Sequence, residues 1–386
     1  MTIRFWHIIL VSFLLICTAC VDEYWPEINK YENLLVVDGM ISNAPRPYTI
    51  KLSVSSSVDA PRYIPLGGAT VVIADHLGNT ETLFEVEEGT YSTSPIGIQG
   101  IVGRKYRISI TTSDSNNYLS SFVEMKSPVG LDSVYAFTES QPSQELTHDL
   151  VGYQFYLDTK PAETKQNYFL WDLMATYQYK ADFKIKYIFE GTLEPFLNSD
   201  SLQTCWRTKK VQEIFTSETE DLVNPVITRF PLHFVSTESR ELSIRYSLLV
   251  KQYTLDSSDY QFWNSVRKQN ENQGGLYANQ PYQIRGNIFN PDNPNEPVLG
   301  NFTVASVTEK RIFVNRPWSL TMYHPVCEIT EGDIENFSTI FLFPPQSWPV
   351  YATRTSNGSA ALPAQQCMDC RKSGGTIEKP TFWVDF

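Results

Sequence analysis

Apolar and polar residues alternate with a period of two along much of this chain. Tyr48, Ile50, Leu52 and Val54 share one face of an extended segment, and so do Tyr106, Ile108 and Ile110, because successive side chains of a strand point to opposite faces. Leu34 to Val37, Ala69 to Ala74, Thr82 to Val86 and Tyr118 to Met125 also read as strands, punctuated by turns at Asp38-Gly39, Asp75 to Asn79 and Glu88-Gly89. Short strands at this spacing predict a β-sandwich over residues 34–126. Ser127-Pro128-Val129-Gly130 reads as a linker. Longer strands follow in a second β-rich region over residues 131–343, at Tyr153 to Asp158, Tyr168 to Ala175, Phe183 to Phe189 and Glu241 to Leu248. One helix is predicted from about Ser257 to Asn270, capped by Asp256 or Ser257. Its apolar stripe is Tyr260, Trp263 and Val266 with Phe262 beside them, and Gly274-Gly275 stops it. Gly300 to Val307 and Lys310 to Val314 read as two paired strands. Residues 344–386 lack periodicity and read as an irregular, cysteine-containing tail.

The expected fold class is therefore mainly β. An N-terminal Ig-like or transthyretin-like sandwich precedes a larger β-rich domain with one or two short helices. The transthyretin-like reading rests on Gly68-Ala69-Thr70-Val71, Asp75, Gly78, Gly89-Thr90-Tyr91 and Gly103-Arg104-Lys105-Tyr106. This set resembles transthyretin-like or carboxypeptidase-regulatory-type modules, which implies a spacer or docking platform.

The first residues follow a different pattern. Arg4 is followed by an apolar run from Phe5 to Ile16, then Thr18-Ala19-Cys20. The run is far shorter than the ~20 residues a spanning helix needs, so residues 1–19 read as a cleaved lipoprotein signal with Cys20 as the lipidated residue. Residues 20–33 read as a tether. Asp22 and Glu23 directly after the cysteine resemble the surface-export signal of Bacteroidota-type lipoproteins, which implies an outer-membrane, lipid-anchored protein exposed on the cell surface.

Charge narrows the partners. The formal net charge is −12, and no dense Lys/Arg cluster interrupts it, so no nucleic-acid partner is expected. Aromatic residues make up 13% of the chain, which suits pleated, half-buried surfaces.

Four cysteines beyond the leader, Cys205, Cys327, Cys367 and Cys370, are disulfide candidates in an oxidising compartment, with three possible pairings. A long-range bond restrains the unfolded chain by about 3–5 kcal/mol in the chain-entropy argument, so the tail is expected to be stapled to the second region. Two other readings exist for these residues. Cys367 and Cys370 form a Cys-x-x-Cys pair, but Arg371-Lys372-Ser373-Gly374-Gly375 argues against the following helix that redox chemistry favours. His324, Cys327, Cys367 and Cys370 match zinc-ligand spacing, at the cost of leaving Cys205 a lone thiol. Neither a metal nor a cofactor is expected.

Catalytic chemistry is poorly represented. There is no Gly-x-Ser-x-Gly elbow and no His-Glu-x-x-His helix. His76, His148, His233 and His324 lie far apart in sequence. Glu87-Glu88 and Glu218, Glu220 and Asp221 could flank a sugar, but read more simply as solvated loops. Trp206, Trp318, Trp348 and Trp383 are loop tryptophans that could stack on sugars, with packing as the plainer role. Asp132-Ser133-Val134 and Asp200-Ser201-Leu202 resemble a Bacteroidota O-glycosylation pattern. No catalytic residue is assigned.

A wider resemblance spans the mature chain. Leu35-Val36-Val37-Asp38-Gly39 stands near the start. Tyr260-Gln261-Phe262-Trp263, Gln280-Pro281, Gly286-Asn287-Ile288 and Val298-Leu299-Gly300-Asn301-Phe302 follow. Cys367-Met368-Asp369-Cys370-Arg371, Gly374-Gly375-Thr376 and Lys379-Pro380-Thr381-Phe382-Trp383 close the set. Together they resemble the lipoprotein family called domain of unknown function 4249. Asn301 departs from it, where an aromatic is expected. The resemblance implies a non-enzymatic outer-membrane lipoprotein, partnered with a TonB-dependent transporter or another outer-membrane protein. A structural or adhesive envelope protein is the alternative, and a glycan or peptide hydrolase the third.

Overall fold

The computed structural model describes residues 33–56, 62–143, 145–162, 164–272 and 283–385. Its backbone is one long, ten-stranded sheet. The main path runs through Thr204–Lys210, Tyr168–Lys180, Arg245–Leu255, Leu299–Asn315, Leu35–Ser42, Thr49–Val54, Thr90–Ser92 and Phe84–Glu87. Leu299–Asn315 joins its two halves. Residues Leu299 to Ala305 pair in parallel with Val36 to Ser42, and Ser306 to Asn315 pair antiparallel with Thr254 to Arg245. The expected hairpin at Gly300–Val307 and Lys310–Val314 is thus one 17-residue strand. Val307-Thr308-Glu309-Lys310 contains no glycine, proline or asparagine to turn the chain, and each half has its own partner to satisfy the backbone.

Two smaller sheets cover the long one at different places. Ile288–Phe289, Asn117–Ser120, Lys105–Thr111, Thr70–Asp75 and Thr80–Thr82 form the second layer of the N-terminal sandwich. The alternation read from sequence supplies its core: Ile50, Leu52, Ile73, Tyr106 and Ile108 are fully buried. Val298, Phe302 and Val304 complete this same core, although they fall within 131–343. The proposed division into 34–126 and 131–343 therefore does not separate two cores. The linker is also anchored. Val129 N donates to Thr254 Oγ1, and its carbonyl accepts from Gln252 Nε2 and Thr308 Oγ1.

Leu131–Gln141, Leu150–Thr159 and Phe230–Ser236 form the other covering sheet. They enclose Phe155, Phe169, Trp171 and Tyr246. Glu241–Leu248 is not one strand. Arg240–Leu242 makes a 3-10 turn, and the strand begins at Arg245.

The tail is not a separate appendage. Val350–Arg354 pairs with Tyr187–Phe189, which pairs with Leu193–Pro195. The excursion after Lys180 and residues beyond Cys327 thus build a small lobe together. A boundary at 343/344 cuts through it, because the missing periodicity concealed short strands whose partners lie more than 150 residues away.

Glycine geometry fixes the junction of the halves. Gly300 has φ +83°, and a Cβ there would lie 1.9 Å from the Val37 carbonyl oxygen. Gly78 has φ +92° but open space around it. Gly78→Ala is therefore expected to cost about 1–2 kcal/mol from backbone strain alone, and Gly300→Ala clearly more, as measured by denaturant unfolding.

Candidate functional site

A buried carboxylate sits where the helix meets the joining strand. Helix α1, Ser257–Asn272, follows the sequence expectation closely, and Asp256 Oδ1 accepts from Ser258 N. Its apolar stripe is only half-buried. Among the described residues of the helix, the fully buried one is Asp259, which no sequence motif marked. Asp259 Oδ2 accepts from Val304 N at 2.9 Å, and Oδ1 accepts from Asn301 Nδ2 at 2.8 Å. Asn301 Oδ1 accepts from Asn287 N, and the Asn287 amide pairs with both backbone groups of Phe302. Trp263 Nε1 donates to Thr303 Oγ1.

This cluster explains the motif residues. A Cβ at Gly286 would lie 1.8 Å from the Gly300 carbonyl oxygen, so only glycine lets the Asn287 loop approach. Asn301 is the expected aromatic replaced by a ligand for a buried carboxylate. Burial pushes the Asp259 carboxyl from 3.8 up to about 7, against donors from Val304 and Asn301 that favour its charged form. All its contacts are satisfied inside the protein, so its role is to hold the helix on the strand.

The disulfides define the lobe. Cys205 bonds Cys370, and Cys327 bonds Cys367. Both tail cysteines are tied to the second region, across 165 and 40 residues. The zinc set His324, Cys327, Cys367 and Cys370 is therefore not assembled, since its three thiolates are oxidised and Cys370 has a partner outside the set. The Cys367–Cys370 redox pair is absent for the same reason. Tyr179 OH donates to the Cys370 carbonyl at 2.6 Å, and Asp369, fully buried, pairs with Arg371.

One surface of the lobe is apolar and exposed. Helix α2, Glu331–Glu335, runs into a 3-10 helix over Asn336–Leu342. Ile340 is buried, while Phe341, Leu342 and Phe343 are 57%, 80% and 36% exposed. The segment is held from beneath. The Phe341 and Trp348 rings meet Phe189 edge-on at 5.5 and 5.7 Å, and Trp348 Nε1 donates to the Phe343 carbonyl. No sequence pattern marked this surface, because exposure depends on what the remainder of the chain covers.

The other sequence candidates remain apart. Cys20, Asp22 and Glu23 lie outside the described residues. His148 stacks on Tyr323 and pairs with Glu238, while His233 pairs with Glu213. His76 Nδ1 accepts from Lys105 N, and His324 Nδ1 lies 3.4 Å from the Pro325 carbonyl oxygen. Glu220 accepts from Gln166 and Tyr168. Burial, then Glu220 and Asp221, raise the Glu218 carboxyl. Glu87 and Glu88 lie on the exposed rim of the sandwich. Trp383 is buried against Trp206 and Phe313, and Trp318 is 84% exposed. Ser133 donates to Asp158, and Ser201 to the Asn198 carbonyl.

An open groove of about 780 Å³ lies beside the C-terminal half of α1, lined by Phe215, Phe230 and Leu232 with Arg267 at its rim. Its cation is already engaged by Thr216, Glu271 and Asn264.

Burial raises the folded carboxyl of Asp259 above its unfolded value. As pH rises from about 4 to about 7, the unfolded chain ionises first, so this group's contribution to stability falls. Asp259→Asn places an amide donor among donors and is expected to destabilise by about 1–3 kcal/mol at pH 4–5. The gap from wild type should narrow toward neutral pH in urea-unfolding curves. Replacing Cys205 and Cys370 together by serine is expected to lower stability by about 3–5 kcal/mol, with earlier proteolysis of the lobe as a second readout.

No curated protein matches the chain. The family model described as Domain of unknown function (DUF4249) matches residues 21–311, including α1, the Asn287 loop and Asn301. With three-quarters of its length so matched, this chain belongs to that family.

Proposed function

We propose that this protein is a non-enzymatic, lipid-anchored accessory subunit on the outer face of a Bacteroidota-type outer membrane. It docks on, or delivers a ligand to, a TonB-dependent transporter or another outer-membrane complex. The leader ending at Ala19, with Cys20, Asp22 and Glu23 behind it, supports the anchor. Three acyl chains, each methylene worth about 0.8 kcal/mol in the bilayer, would hold it without a spanning helix. No helix among the described residues is long and apolar enough to cross a membrane.

The observation that carries the docking role is the continuous sheet. The described chain enters the fold at Asn33, beside the Leu299 end of the joining strand. The lobe follows Lys180, beside the Asn315 end. Seventeen residues separate those ends, about 55 Å of extended strand. A rigid body of this kind presents one end to the membrane and the other to a partner. The sandwich in between suits the spacer role of transthyretin-like modules.

Cys20→Ala is expected to move the protein from the membrane to the soluble fraction. In mild detergent, the tagged wild-type chain should co-purify with an outer-membrane protein in near-stoichiometric yield. A soluble wild-type chain without N-terminal lipid would overturn the anchor. Loss of surface attachment by deletion cells, with no co-purifying protein, would favour adhesion.

A further inference from the structure

One face of the lobe is unlike a solvated surface. Residues 341–347, Phe-Leu-Phe-Pro-Pro-Gln-Ser, are all exposed. Apolar groups in a contiguous patch forgo the burial that drives folding and association. This run is also preorganised. Ile340 is fully buried beneath it, and the Phe189 and Trp348 rings and the Phe343 carbonyl hold its shape. Gly191, at φ +93°, lets Trp348 lie directly on the neighbouring turn, where a Cβ would come within 3.0 Å of the ring. A surface ordered in advance loses little entropy on binding.

Charge around the run has one sign. From residue 317 to residue 353 there is no lysine or arginine, and there are four acids, Glu328, Glu331, Asp333 and Glu335. Glu331 and Glu335 are exposed at the start of the helical segment that ends in Leu342. Glu190 is exposed at the turn beside Trp348. The acids therefore lie within about 20 Å of the apolar run, the length of a dozen helical residues. Lys186 and Arg354 stand at the opposite end of the Tyr187–Phe189 and Val350–Arg354 pair.

We propose that Phe341, Leu342 and Phe343, with their rim of Glu190, Glu331 and Glu335, form the docking surface for a protein partner bearing an apolar hollow edged by lysine or arginine. This deepens the accessory role proposed above and rests on it. The apolar run supplies buried anchors, and the acids steer and orient the encounter. A second copy of the chain would oppose like charges, at a net charge of −12 per molecule. An anionic lipid surface is disfavoured for the same reason, and the run lies at the sheet end away from the N-terminal entry.

The test uses the lipidated full-length chain, extracted in mild detergent from its own membrane. Three forms are compared with wild type: Phe341→Ser with Leu342→Ser and Phe343→Ser, Glu331→Lys with Glu335→Lys, and Val223→Ser as a control at another apolar residue, itself 92% exposed. Thermal midpoint and intact disulfides establish that each form is folded. The serine form is expected to lose its co-purifying outer-membrane protein tenfold or more, and the control to keep it. With that protein purified, the lysine form should bind more slowly, with a flatter salt dependence. Reversing the partner's basic residue that cross-links nearest position 335 should restore the rate.

Full retention of the partner by the serine form overturns the docking surface and leaves the accessory role standing. Absence of any co-purifying protein from every form overturns both. Sedimentation of the non-lipidated Cys20→Ala chain with phosphatidylcholine vesicles, lost in its serine form, would assign the run to the membrane instead. Self-association lost in the serine form would assign it to a second copy. Either result overturns the proposal.

Discussion

Asp259 is the interaction on which the architecture depends. A carboxylate with no solvent contact is costly unless donors surround it, and here the donors come from a loop and a strand. Asn301 and Val304 both lie in the strand that joins the halves, and Asn287 is brought in by Gly286. The helix, the joining strand and the edge of the N-terminal sandwich are therefore specified together. A buried charged group of this kind adds little net stability, but it disfavours alternative placements of the helix, each of which would leave the carboxylate without partners.

The second constraint is the shared strand. Leu299–Asn315 meets Leu35–Ser42 in parallel and Arg245–Leu255 antiparallel. A parallel neighbour requires a long return connection, and the chain from residue 43 to residue 298 supplies it. The N-terminal half does not close its core without Val298, Phe302 and Val304 of the other. The outcome is a stiff body rather than two modules on a hinge, which suits a protein whose reading is to hold one end at a membrane and offer the other.

The lobe is organised by covalent ties rather than by a large core. Its hydrophobic clusters are small, around Ile185, Tyr351 and Met368 and around Phe189, Ile340 and Val350. Small cores gain most from disulfides. Cys205–Cys370 fastens the lobe to the long sheet, and Cys327–Cys367 closes it on itself. An exposed apolar surface can persist there because its supports are locked from behind.

By itself the sequence determined the β class, the sandwich strands, the helix and the cysteines as the tail's tie, since each is carried by local periodicity or by a residue type with few uses. The inward faces of Thr49–Val54 and Lys105–Thr111 could be read directly, because period two is a backbone property. Tertiary structure alone decided the rest. One continuous strand replaced the expected hairpin at Gly300–Val307 and Lys310–Val314, because a strand's end is set by its partners as well as by its own residues. Asn301 looked like a lapse in a pattern until Asp259 stood opposite it. The lobe's halves, more than 130 residues apart in the chain, and the exposure of Phe341 to Phe343 had no local signature. Burial and pairing at a distance are properties of the whole chain's packing, and no window of sequence contains them.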